Sequence, residues 1–349
     1  MERRASILAT VAVLAGCGHG EPFQAPDPFA HGPLVPGVVA RLTYSAGRDQ
    51  SPAWRADGSG ILYTYEDLTT TVRGWCLGIL PAEGGSRTQS RCGRQIPDSV
   101  HAWDRAAESD DGRVAFLRSI SRSAALFPFD WSLMVGPSGD PAAALPILPI
   151  PFTPPSGPPI KGIGQIHWLD ASTLIVLAES RFVGRPCRAC AVDTVATGRM
   201  LYTIPAAGGT PVPVPGTDYA SGVAVRGPDE IFFTRGGDAH VYRRALASGV
   251  TTAVLDFTGL GIVRDVAVAG DRLIAVVGGS VTWGFDPLVG DSTQADSGGV
   301  MVDVDLTRGT AQAVDVGFAV RRPALAPNAR SVVVETAARP ADLYLVQLP

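Results

Sequence analysis

RLTYSAGRDQSPAWRADGSGILYTY, residues 41–65, is the stretch that decides the fold. Its first five residues end a short strand-like run. Residues 49–55 form an approach strand with Trp54 near its end. Ala56-Asp57-Gly58 is a tight polar turn, and residues 61–65 alternate as a second strand. Two strands joined through Asp-Gly read as a hairpin, because Gly supplies the positive φ that such turns require. The plan recurs in RRPALAPNARSVVVE, residues 321–335, where Pro323 stands for Pro52, Leu325 for Trp54, and Asn328 for Asp57. Val332, Val333 and Val334 supply the strand that follows. Internal repetition of this kind points to a solenoid or a propeller.

The same stretch resembles the repeat of the TolB-like β-propeller family. Pro52, Trp54, Asp57 and Gly58 sit where that repeat has its P-x-W-S-P-D-G core; Arg55 and Ala56 stand at its serine and second proline. The resemblance implies a six-bladed propeller closed by an N-terminal strand, and an interaction platform in the cell envelope. It implies no particular partner, since a tether stands before the first blade strand where the family has a further N-terminal domain.

Composition agrees with many short strands. Apolar residues make up 46% of the 349, and 29 Pro and 40 Gly suit turns better than long helices. The formal charge is −4 with no basic stripe, which argues against nucleic-acid binding. Of the Lys and Arg residues only Lys161 is a lysine.

Residues 1–17 read as an export signal. Glu2-Arg3-Arg4 is a short charged region, residues 5–14 are apolar but shorter than the roughly 20 residues of a membrane helix, and Leu14-Ala15-Gly16-Cys17 resembles a bacterial lipobox. That resemblance implies cleavage before Cys17 and acylation of its thiol. Several acyl chains on one terminus anchor stably, at roughly 0.8 kcal/mol per buried methylene. An ordinary secretory signal with a nearby Cys is the plainer alternative. Residues 18–36, rich in Pro and Gly, read as a semi-extended tether, and the propeller is expected over residues 37–349.

From residue 49 onward the strand signals fall into six groups. Five contain four strands and the last only three, at 322–326, 331–336 and 343–348, whereas the run at 38–45 has no hairpin partner. The two anomalies cancel if 38–45 completes the last blade, which removes two open sheet edges. Insertions are expected at 179–199 and 278–299, and the proline-rich run 137–160 makes the second blade the least regular.

Export places the other four cysteines in an oxidising compartment. If Leu80 faces Thr88 across Ala82-Glu83-Gly84-Gly85, Cys76 faces Cys92 and a cross-strand disulfide is expected. Cys187 and Cys190 form a lone C-x-x-C, read as a small structural disulfide; a zinc half-site would need a second ligand pair. His167 is expected to take the place of Trp54 in its repeat as a packed histidine. Asp57, Asp111, Asp170 and Asn328 recur at hairpin turns, where they accept backbone N–H groups. Asp286, Asp291 and Asp296 lack calcium-loop spacing, and no G-x-S-x-G elbow or phosphate loop is present.

The expected function is a lipid-anchored, non-enzymatic scaffold of the cell envelope, a monomer with no cofactor and no bound metal, binding an envelope protein or peptide. Residues at the starts of the innermost strands place the partner site at the axial funnel, around Asp49, Asp104, Asp218, Asp265 and Arg321. The alternative is a propeller enzyme, lactonase- or glutaminyl-cyclase-like, with converging carboxylates in that funnel. Cys17→Ser is expected to move the protein from the membrane pellet to the soluble fraction; a serine variant that stays with the membrane overturns the lipobox reading.

Overall fold

The computed structural model describes residues 39–68, 74–92, 99–122, 130–180, 199–286, 291–338 and 340–349. Cys17, the tether, Cys187 and Cys190 lie outside them. Six four-stranded antiparallel blades surround an axis, a six-bladed β-propeller. The first blade is β2 (Asp49–Trp54), β3 (Gly60–Asp67), β4 (Gly74–Pro81) and β5 (Gln89–Cys92). The second is β6 (Ser99–Glu108), β7 (Arg113–Arg122), β8 (Asp130–Pro137) and β9 (Leu145–Ile150). The third is β10 (Gly162–Asp170), β11 (Thr173–Glu179), β12 (Arg199–Pro205) and β13 (Val212–Pro213). The fourth is β14 (Ala220–Val225), β15 (Glu230–Arg235), β16 (His240–Ala245) and β17 (Thr251–Asp256). The fifth is β18 (Val263–Ala269), β19 (Arg272–Val277), β22 (Val300–Asp305) and β23 (Thr310–Val314). The sixth is β24 (Val320–Leu325), β25 (Ser331–Thr336), β26 (Leu343–Gln347) and, from the other end of the chain, β1 (Val39–Arg41).

Ring closure is as the sequence predicts, with a shorter ladder. Val39, Ala40 and Arg41 pair with Val346, Leu345 and Tyr344. Beyond Arg41 the chain leaves the ladder but stays bonded to the last blade: Leu42 N donates to Leu343 O (2.8 Å), and Leu343 N donates to Thr43 Oγ1 (2.9 Å). The insertion expected at 278–299 holds a hairpin, β20 (Val281–Asp286) and β21 (Asp291–Asp296).

The core is six separate cores, one at each interface between neighbouring blades. In a strand covered on both faces, alternate side chains serve different neighbours. Leu273, Ala275 and Val277 of β19 face the fourth blade, while Ile274 and Val276 face the sixth. On β25, Val332 and Val334 pack toward the fifth blade and Val333 toward the first. Leu42, Ile61, Tyr63, Leu343 and Leu345 share the cluster at the closing seam. This double burial explains the unbroken apolar runs 273–277 of β19 and 332–334 of β25.

Trp54 adds a directional bond to these contacts. Its indole Nε1 donates to Ala324 O of the preceding blade (2.9 Å), and Trp168 Nε1 donates to Ala107 O in the same way (2.9 Å). Trp168 therefore holds the place of Trp54 in the third blade, which corrects the expectation for His167. The segment joining the two strands is one residue shorter in the third blade, where Trp168 pairs with Leu174 as Trp54 pairs with Ile61, and this accounts for the slip.

The turns behave as their residues dictate. Asp57, Asp170 and Asn328 accept N–H bonds from Ser59, Ser172 and Arg330. Asp111 instead accepts from Ser109 Oγ (2.5 Å) and Arg113 Nε (2.9 Å). Gly84-Gly85 and Gly208-Gly209 carry φ of 88°, 101°, 88° and 141°, which only glycine adopts freely. Cys76 pairs with Cys92 in the predicted register, and a disulfide joins them at a Cα–Cα distance of 4.4 Å.

Truncation tests the closure. A chain starting at Ala46 loses β1 and Leu42, and is expected to melt well below the full-length protein, by more than 5 °C. Removing only residues 18–33 is expected to leave the melting temperature unchanged. Equal melting of the two truncations, read by circular dichroism, would refute closure by β1.

Candidate functional site

The six inner strands line the axis, and each departs from ladder register against its second strand. The shifts fall at Gln50/Ala53, Asp104/Ala107, Ile163/Gln165, Ala220/Gly222, Val263/Asp265 and Arg321/Ala324. An extra residue at such a point bends the strand and re-aims its side chains. Ser51, Arg105 and Arg322 occupy equivalent bulges with φ of 54°, 55° and 45°. The bulge N–H has no ladder partner, so the preceding blade supplies one. Arg105 N donates to Thr64 Oγ1 (3.2 Å), and Ser51 N donates to Glu335 Oε2 (3.2 Å). Thr64 and Glu335 hold the same register position on their second strands, opposite Gln50 and Arg321.

Two cavities follow the axis and meet at a waist formed by Arg105, Gly164, Gln165, Asp265 and Arg322. The larger, about 660 Å³, opens among the tight turns that join first to second strands. We call that side the turn face. The smaller, about 360 Å³, opens on the opposite side. Antiparallel topology sends the connections between second and third strands to that side, so all the long insertions leave from it; it is the loop face.

Charge at the waist and the smaller cavity comes in pairs. Glu335, 1% exposed at its side chain, accepts from Arg321 Nη2 (2.7 Å) and Arg322 Nη1 (3.0 Å). Asp104 takes Arg105 Nη1 at 2.8 Å and Thr64 Oγ1 at 2.9 Å. Arg264 Nη2 meets Asp296 Oδ1 at 3.0 Å, and Arg199 Nη2 meets Glu179 Oε1 at 2.9 Å. Asp265 has no such arginine. Its Oδ1 accepts from Gln165 Nε2 (2.8 Å) and its own neighbour Val266 N (2.9 Å), and Gln165 Oε1 accepts from Val223 N (2.8 Å). Gln165 thereby ties three blades together across the channel. Burial pushes the Asp265 carboxyl up to about 6, against the lowering effect of these bonds and of Arg322. His167, in the wall of the larger cavity, is pulled down to about 4 by burial, so its imidazole is neutral at pH 7.

The predicted site residues separate into groups. Asp265 and Arg321 line the smaller cavity, and Asp104 stands directly behind it, holding Arg105. Asp49 is buried away from both cavities against Ser45 Oγ (2.6 Å), and burial raises its pKa to about 6. Asp218 is exposed and lines neither cavity. Sequence reasoning missed Arg105, Gln165, Arg199 and Arg322; Arg264 stands at an inner-strand start beside Asp265 but was not chosen for the site. Arg105 and Arg322 directly follow two residues that were chosen, and the bulge brings both into the channel. The Asp286 and Asp291 backbones pair at the tip of the β20–β21 hairpin, while Asp296 is taken by Arg264.

No family model matches the chain, and no curated protein matches its sequence. Solved structures do. A gluconolactonase from Xanthomonas campestris is similar with a TM-score of 0.55 at 12% identity, over 89% of this chain and 89% of that one. An oligogalacturonate lyase in complex with manganese gives 0.50 at 13%, over 89% and 93%. TolB from Acinetobacter baumannii gives 0.48 at 12%, over 78% and 59%. The first two likenesses show the propeller fold and nothing finer. Three of the channel carboxylates are already taken, which leaves few open oxygens for a divalent cation. The channel carboxylates Asp104, Asp296 and Glu335 are bonded to guanidinium groups. Of the imidazoles whose side chains are described, His240 binds Asp238 away from both cavities. Among the described residues the one cluster with metal-ligand spacing is Asp67, Cys76 and Cys92, whose two sulfurs form the disulfide.

Asp265 gives a signed pH test. A carboxyl whose folded pKa lies above its unfolded value opposes folding once pH exceeds the folded value, and has no effect below the unfolded one. A rise from 3.8 to about 6 corresponds to an opposition of about 3 kcal/mol at neutral pH, absent below about pH 4. Asp265→Asn keeps the acceptor for Gln165 and Val266. It is expected to stabilise the protein at pH 7.5 by about 1–2 kcal/mol and to do less at pH 5. An equal loss of stability at both pH values would show that the charged form is the favoured one.

Proposed function

We propose that this protein is an exported scaffold, held to a membrane through lipid on Cys17, that binds an envelope protein or peptide at the loop face of its channel. The observation that carries the reading is the pairing of arginine with carboxylate around the smaller cavity. A guanidinium seated on a carboxylate competes with any cation for the same oxygens, whereas it still offers donors to a polar or acidic partner. The TolB-like repeat core at Pro52, Trp54, Asp57 and Gly58 supports an envelope setting by resemblance.

One observation favours a second reading, a funnel-site hydrolase. Asp265 is a buried channel carboxyl whose pKa near 6 suits general acid–base work, and the neutral His167 shares the larger cavity with it. Affinity purification of the full-length protein from detergent-solubilised envelopes separates the two. The scaffold reading expects a co-purifying protein in fixed ratio. No partner, together with stoichiometric calcium in the purified protein or turnover of a lactone panel that Asp265→Asn abolishes, would replace it by the enzyme.

A further inference from the structure

The smaller cavity holds more arginine donors than its carboxylates use. Arg105, Arg199, Arg264, Arg321 and Arg322 all line it. Each gives one terminal nitrogen to a carboxylate, although a guanidinium has five N–H groups in a fixed fork. Arg105 Nε, Arg199 Nε, Arg321 Nε and Arg264 Nη1 have no hydrogen-bond partner, and all four nitrogens are buried. The Arg264 side chain is only 10% exposed. Buried donors left unmatched are destabilising, and an incoming acceptor relieves that state after small rotations of the long side chains. Formal charge leans the same way. Five guanidinium groups face Asp104, Glu179, Asp296 and Glu335, which leaves one positive charge for Asp265 to cancel only when it is ionised.

The rim adds a second kind of contact. Tyr219, Leu260 and Val300 are 67%, 63% and 56% exposed, and all three stand on the loop face, just before β14, between β17 and β18, and at the start of β22. Each is joined to the cavity wall by backbone. Tyr219 O accepts from Gly236 N (2.8 Å), and Gly236 lines the cavity. Leu260 precedes Gly261 and the lining residue Ile262. Val300 follows Gly299, which exchanges both backbone bonds with the lining residue Val320. Of the other exposed large apolar residues among those described, Leu68 follows β3 on the loop face of the first blade, and Leu145, Val212 and Val250 are spread one per blade at the outer strands.

We propose that this arginine-lined cavity is a carboxylate socket, taking an Asp or Glu side chain or a chain-terminal carboxylate of a protein partner whose apolar residues rest on Tyr219, Leu260 and Val300. The inference rests on the scaffold reading for the nature of the partner. A cavity of about 360 Å³ admits one or two side chains and no folded domain. A free phosphate or other small anion would leave the apolar rim unused, so a protein segment fits both features and a free anion only one.

Citrate is the first probe, at pH 7.5 and constant ionic strength, with the melting temperature of the full-length protein as readout. A saturable rise beyond that in matched sodium chloride or phosphate is expected. Arg264→Gln and Arg199→Gln, on different blades, are each expected to weaken the apparent citrate affinity about tenfold, as loss of a charge-assisted bond does. No saturable shift, an equal shift with phosphate, or unchanged affinity in both variants would overturn the socket. The second probe is a photo-crosslinking residue at Leu260 in intact envelopes. A product that citrate displaces and both variants lose supports the proposal. A product that forms equally in the variants overturns the socket but leaves the scaffold reading standing. Citrate binding with no cross-linked protein retains the anion site and overturns the protein partner.

Discussion

Every interface in this molecule depends on one short ladder, the pairing of Val39, Ala40 and Arg41 with Val346, Leu345 and Tyr344. The blades are wedges that each bury two faces, so none has a complete core of its own. If the seam opened, the first and sixth blades would expose Ile61, Tyr63, Val333 and Leu345 together, along with two unpaired sheet edges. The ladder is supplemented from both sides. Arg41 Nη2 bonds Asp342 Oδ2 at 2.8 Å, and Trp54 crosses the seam to Ala324 O. The Glu335 carboxylate accepts from Arg321 and Arg322 on its own blade and from Ser51 N on the first, so a buried ion cluster also spans the joint.

Closure dictates the chemistry of the axis. Six strands brought side by side around a narrow channel cannot all stay in flat register, and each of the six bulges. A bulge frees a backbone N–H that must find an acceptor, because a buried unpaired donor costs roughly 1–3 kcal/mol. Thr64 and Glu335 meet that need with side-chain oxygens. The polar lining is therefore structural in origin. The arginines go beyond this role: they bind the carboxylates that satisfy the bulges and keep further donors that no backbone group requires.

The architecture was legible in the sequence because its determinants are local and repeat. Turn residues at fixed offsets from apolar runs gave the six groups, and the missing fourth strand gave the closure. The Cys76–Cys92 pair could be derived since one Gly-Gly turn fixes the register of the whole outer hairpin. The site was legible only in part. Counting from strand starts selected Asp104 and Arg321 but passed over Arg105 and Arg322, because a bulge is a tertiary adjustment with no residue signal of its own. Asp49 and Asp218 show the same limit from the other side: equal sequence position puts one in a buried pocket with Ser45 and the other in solvent. His167 was placed one residue wrong because the connection to the second strand is one residue shorter in the third blade, and Trp168 makes the bond that marks the position. Arg199 and Arg264 belong to a third-strand start and to a bulge, and only the folded ring brings them to one cavity.

The two ends of the channel differ in a way that bears on binding. At the turn face the connections are short, and Asp57, Asp170 and Asn328 spend their carbonyl and carboxylate oxygens on their own backbones. At the loop face the connections are long, the β20–β21 hairpin contributes Asp296 to the cavity wall, and apolar side chains stand exposed on the same face as the cavity that holds the unmatched guanidinium nitrogens. Stability alone favours neither feature, because apolar groups gain by burial and buried donors gain by finding acceptors. Both are relieved by one event, contact with a surface that is apolar around an acidic centre. Along the larger cavity the unmatched buried atoms are Ser51 Oγ and, at the waist, Arg105 Nε, against four guanidinium nitrogens along the smaller one, so the contact we propose falls at the loop-face mouth.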